Sequence, residues 1–118
     1  MITAVHALIY SKDPEGVRAF FRDVLGLKSV DAGGGWLVFA LPPAELGIHP
    51  AEQGDTHELY LMCDDLKATM AGLERKGVRF ARPPSEQPFG LVTAIVLPGG
   101  EEIGLYEPRH PTAVPVKR

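Results

Sequence analysis

His6-Ala-Leu-Ile-Tyr-Ser-Lys-Asp13 and Glu58-Leu-Tyr-Leu-Met-Cys-Asp-Asp65 are the stretches whose comparison decides the fold. Each opens on a polar residue, runs through apolar positions suited to a buried strand, and reaches an Asp seven residues later. The offset between them is 52 residues at both ends. Each Asp leads into a helical pattern that stops at a glycine, Leu25-Gly26-Leu27 in one half and Lys76-Gly77-Val78 in the other. Each half then closes on similar strands, Leu41-Pro42-Pro43-Ala44-Glu45-Leu46-Gly47-Ile48-His49-Pro50 against Leu97-Pro98-Gly99-Gly100-Glu101-Glu102-Ile103-Gly104-Leu105-Tyr106-Glu107-Pro108. Self-similarity at a fixed offset is the mark of duplicated architecture. The sequence therefore reads as an α+β chain of two tandem βαβββ modules. Module one covers about residues 1–50, a polar linker 51–56, module two about 57–108, and a proline-bearing tail 109–118.

A chain of 118 residues is long enough for one core without metal or disulfide staples. Half that length is marginal alone, so the two modules are expected to share a single domain. Net charge is −3 with basic residues scattered along the chain, which gives no electrostatic footprint for nucleic acid or an anionic membrane surface. No apolar run approaches the ~20 residues of a membrane span. Cys63 is the single cysteine, which excludes an intrachain disulfide and suits a reducing, cytoplasmic compartment. It reads as a small strand residue facing the core rather than a nucleophile.

The local signals fill in the elements. Residues 2–11 read as a strand. Asp13-Pro14-Glu15 is a helix start, with a capping carboxylate, a proline suited to the first turn and an acid at the positive end of the dipole. Val17, Phe20, Phe21, Val24 and Leu25 then share one helical face up to Gly26. Strands are expected at 27–30, 36–41 and 45–49, with Asp31 to Gly35 as a turn. In the second half a cap at Asp64 or Asp65 opens a helix buried through Leu66, Met70 and Leu73. Strands 78–80, 91–97 and 103–107 follow, with 81–89 as a loop.

His6…Asp13, Phe20-Phe21-Arg22-Asp23-Val24-Leu25-Gly26-Leu27, Asp64-Asp65-Leu66 and Leu97-Pro98-Gly99-Gly100-Glu101-Glu102-Ile103 together resemble the vicinal oxygen chelate superfamily of glyoxalases, bleomycin-resistance proteins and extradiol dioxygenases. The resemblance implies a curved mixed eight-stranded sheet around a cleft, commonly completed in a homodimer. It also implies a divalent metal on four inward positions, which here fall on His6, Gly47, Glu58 and Gly104. Imidazole and carboxylate are competent ligands, whereas the two glycines have no side chain to donate. Gly104 stands where the family pattern puts a glutamate. His49 is two residues beyond Gly47, displaced by ~6.6 Å along the strand, and would become a third ligand only with a shifted register. His57 neighbours Glu58, so it should face away from the cleft.

A His6–Glu58 pair has three uses: a structural hydrogen bond, a proton-transfer couple, or two ligands of a weak, water-rich metal site. The expected cleft residues are His6, Trp36, Gly47, His49, Glu58, Phe89, Gly104 and Tyr106, with Trp36 and Phe89 offering aromatic walls. Two functions stay open. One is a small-molecule binding protein with an incomplete metal site. The other is a metal-dependent lyase, isomerase or dioxygenase, in which a divalent cation holds two adjacent substrate oxygens.

Overall fold

The computed structural model describes residues 7–45 and 58–111. The expected cleft residues His6, Gly47 and His49, together with His57, the linker and the end of the tail, lie outside the described residues.

Helix α1 spans Pro14–Ala19 and opens on the Asp13 carboxylate, which accepts from the Gly16 amide at 3.0 Å. Helix α2 spans Leu66–Glu74 and opens on Asp65, which accepts from the Ala68 amide at 3.1 Å. Both donors and both acceptors are 52 residues apart, as the sequence offset requires. The far ends differ. Gly26 and Gly77 both take the left-handed backbone that ends a helix, at φ +70° and +85°. Asp13 to Gly26 is one residue longer than Asp65 to Gly77. That residue is absorbed by a π-helical turn, Phe20–Val24, closed by the Leu25 amide on the Phe20 carbonyl at 3.1 Å. A π bond encloses one more residue than an α bond, so the extra residue widens the last turn instead of displacing the glycine.

In the first half, β1 (Ser29–Asp31) and β2 (Leu37–Phe39) form an antiparallel hairpin. Its glycine turn is held by the Asp31 carboxylate, which accepts from the amides of Gly33 at 2.7 Å and Gly35 at 3.2 Å. In the second half, β3 (Tyr60–Met62), β4 (Arg79–Phe80), β5 (Ser85–Gln87), β6 (Gly90–Val96) and β7 (Glu102–Pro108) build one sheet. The strand order is β3-β7-β6-β4, with β5 paired to β6. β3 runs parallel to β7 and the other pairs are antiparallel, so the sheet is mixed. Strand β5 corrects the expectation of a featureless loop over 81–89: the two-residue turn Pro88-Phe89 folds Ser85–Gln87 back on β6.

The single eight-stranded sheet is not what the described residues form. They make a two-stranded and a five-stranded sheet. The strand expected over 2–11 leaves only its last residues described, and 7–11 pair with nothing there. They are anchored through a side chain instead, the Ser11 hydroxyl donating to Glu101 at 2.8 Å in the turn between β6 and β7. The strand expected over 45–49 lies beyond Glu45, outside the described residues.

Strand alternation sorts the second sheet into two faces. Leu91, Ile95, Ile103 and Leu105 face the helices and are buried with Val17, Phe20, Phe21, Leu66, Met70, Val78 and Leu97. Each such side chain contributes roughly 1.5–3 kcal/mol when fully withdrawn from water. Glu107, on the same face of β7, accepts from the Leu66 amide at 3.0 Å and supplements the cap of α2. The other face carries Tyr60, Glu102, Gly104 and Tyr106.

Candidate functional site

A cleft of about 380 Å³ lies over this second face. It is bounded by Ile9 from the first half and by Glu58, Tyr60, Arg82, Glu102 and Gly104 from the second. The size falls in the lower part of the range of small-molecule sites.

One lining residue, Tyr60, belongs to an aromatic cluster that follows from strand register. Tyr60 is opposite Gly104 and Met62 opposite Tyr106 across the parallel β3–β7 pair. Gly104 has no side chain, so the Tyr60 ring lies across it: a Cβ built at Gly104 would meet Tyr60 Cδ1 at 2.2 Å. Phe89, from the β5–β6 turn, packs edge-on against both tyrosines, with centroids at 6.2 Å from Tyr60 and 5.6 Å from Tyr106. The two tyrosines are themselves edge to face at 5.6 Å. Phe89 is held in place by its carbonyl, which accepts from the Arg109 amide at 3.0 Å. His110 stacks on Tyr106, with the phenol oxygen 3.0 Å from Nε2.

The polar groups have definite roles. The neighbouring Glu58 carboxylate raises the pKa of Tyr60, with partial burial acting in the same direction. Burial raises Tyr106 as well, reinforced by the negative charge of Glu45. Arg82 donates to Glu102 at 2.7 Å, an exposed pair of little energetic weight that cancels the two charges locally. The Cys63 thiol donates to the Tyr106 carbonyl at 3.5 Å, and burial pushes its pKa up, against a nucleophilic role.

Of the expected cleft residues, Glu58 and Gly104 line the cleft, while Phe89 and Tyr106 pack against the lining residue Tyr60. Trp36 does not join them. It sits in the β1–β2 turn, two-thirds exposed, with the Arg18 guanidinium 5.0 Å from its ring centroid. The glycine turn that carries it projects from a different sheet. Tyr60 and His110 are the residues that sequence reasoning undervalued. Tyr60 stands two residues after Glu58 and so on the same strand face, a signal available from the start. Nothing in the sequence marked His110.

The sequence pattern described as "Glyoxalase/Bleomycin resistance protein/Dioxygenase superfamily" matches residues 3–108. The chain belongs to that superfamily. Among solved structures, TnmS3, an antibiotic binding protein from Streptomyces sp. CB03234, is 26% identical with a TM-score of 0.66, over 91% of this chain and 97% of that one. A glyoxalase/bleomycin resistance protein/dioxygenase superfamily member from Sphaerobacter thermophilus is 24% identical with a TM-score of 0.62, covering 90% and 98%. A lactoylglutathione lyase from Agrobacterium tumefaciens is 17% identical with a TM-score of 0.61, covering 90% and 94%, a likeness of fold. No curated protein matches the chain.

Superfamily members often bind divalent metals, and the described half of the implied metal site does not suit one. Gly104 offers no donor, and the space above it is filled by the Tyr60 ring. Among the described residues no three His, Cys, Asp or Glu side chains gather in a metal-binding group.

Proposed function

We propose that this superfamily member is a small-molecule binding protein of the bleomycin-resistance kind, holding an aromatic ligand in the cleft without metal chemistry. The observation that carries this reading is the Tyr60 ring lying over Gly104, where the family pattern puts a ligating glutamate. A metal site has been replaced there by an aromatic surface. The likeness to an antibiotic binding protein along nearly the whole of both chains supports the same reading.

Tandem βαβββ modules sharing one domain, 1–118, are supported by the matched helix caps 52 residues apart. A homodimer is supported by the apolar surface of the first half, where Leu8, Tyr10, Val30, Val38 and Leu41 are exposed. The cytoplasm as its compartment is supported by the lone cysteine. Among the described residues no helix is long and apolar enough to cross a membrane.

The test is a thermal-shift panel of polycyclic aromatic compounds and bleomycin, run in the presence of a chelator. A ligand at a hundredfold over its dissociation constant stabilises the folded state by about 2.7 kcal/mol, so binding is readily seen. Stabilisation in chelator that is lost in Tyr60→Ala supports the reading. Stabilisation that needs an added divalent cation contradicts it.

A further inference from the structure

Two consecutive residues just past the end of β7 hold both neighbours of the Tyr60 ring. The Arg109 amide donates to the Phe89 carbonyl at 3.0 Å. His110 stacks on Tyr106, with centroids 5.9 Å apart and planes at 25°, and its Nε2 lies 3.0 Å from the phenol oxygen. The imidazole is itself oriented, because Nδ1 donates to the Pro111 carbonyl at 2.8 Å. Phe89 and Tyr106 are in turn the rings that meet Tyr60 edge-on. Gly90 lets the β5–β6 turn close on the end of β7, since a Cβ there would meet the Glu107 carbonyl oxygen at 2.2 Å. Tyr60 lines the cleft, and the rings that box it over Gly104 stand outside the lining.

The fastening is light. Pro108 is fully buried, whereas Arg109 and Pro111 are exposed and His110 is half-buried. The Arg109 guanidinium pairs with Glu86, an exposed ion pair that contributes little. A segment held by so few buried contacts opens at a fraction of the free energy that unfolds the sheet beneath it. We propose that Arg109–Pro111 is a strap that sets the position of Tyr60. Docked, it keeps the ring over Gly104 and the cleft small. Released, it frees Phe89 and Tyr106 to shift, and the Tyr60 ring can leave the space above Gly104. His110 is the positioning residue, acting on the cleft through Tyr106 without lining it. The strap adjusts the cleft of the proposed function, and no ligand enters its test, so binding and positioning can fail separately.

NMR of the full chain labelled at its three tyrosines, Tyr10, Tyr60 and Tyr106, reads the ring directly. His110→Ala should move the ring signals of Tyr60 as well as those of Tyr106 toward the values of the exposed Tyr10, which should stay in place. Tyr106→Phe keeps the ring and loses the hydrogen bond, and should move Tyr60 in the same direction by less. A double-mutant cycle supplies a readout that a mere anchor of the chain would not move. Gly104→Ala forces the Tyr60 ring out, so the drop in urea midpoint it causes should shrink by about half or more in a His110→Ala background, and should be unchanged in a Ser11→Ala background. Tyr60 signals that stay put in His110→Ala, or a Gly104→Ala loss of full size there, overturn the proposal and leave His110 a local anchor. Failure of His110→Ala to fold contradicts the light fastening and overturns it too.

Discussion

Gly104 and Tyr60 decide the chemistry of the cleft between them. The glycine could be recognised in the sequence as a missing ligand, because it stands inside a hairpin whose other residues match the family. What fills its place could not, since pairing of Tyr60 with Gly104 depends on a parallel register between distant strands. The space above Gly104 belongs to a neighbouring ring. Gly104→Ala should be destabilising, because its methyl would sit 2.2 Å from Tyr60 Cδ1 and the ring must leave. A cost of about 1–3 kcal/mol is expected from urea unfolding, typical of overpacking. In a Tyr60→Ala background the same change should cost far less, a non-additivity that reports direct contact.

At the scale of elements, the helix starts were the most legible features, because a cap is local chemistry: Asp13-Pro14-Glu15 and Asp65 announce themselves. The helix ends were half legible. Both glycines were visible, and so was the one-residue difference in spacing, but only the structure shows that a π turn takes it up. Deleting Arg22, exposed within that turn, should convert it to an ordinary α turn ending on the same glycine. The loss in stability is expected to stay under about 1 kcal/mol, whereas deleting Ala71 from α2 should cost more than about 3 kcal/mol by rotating Leu73 off the core. Urea midpoints of the two deletion variants check this. The outer strands of the first half were the least secure reading. Alternation alone gives no pairing partner, and among the described residues 7–11 are held by the Ser11 hydroxyl on Glu101 and by no ladder.

Over the whole molecule, the two halves differ in how well they are covered. The second half encloses its apolar residues within a five-stranded sheet and two helices. The first leaves the cross-strand pair Val30 and Val38 on the surface, beside Trp36 of the same hairpin. Sedimentation at micromolar concentration should give a dimer, and Val38→Asp should weaken it by roughly tenfold or more, the effect of a charge buried in an apolar contact. A wild-type monomer would count against the dimer.

The central claim is that an aromatic wall stands where a metal site would be, and the metal content of protein purified without an affinity tag tests it most directly. The account expects no stoichiometric divalent metal by mass spectrometry, before or after incubation with Zn²⁺, Mn²⁺, Ni²⁺ or Fe²⁺ and desalting. One tightly held metal per chain, lost in Glu58→Gln, would contradict it.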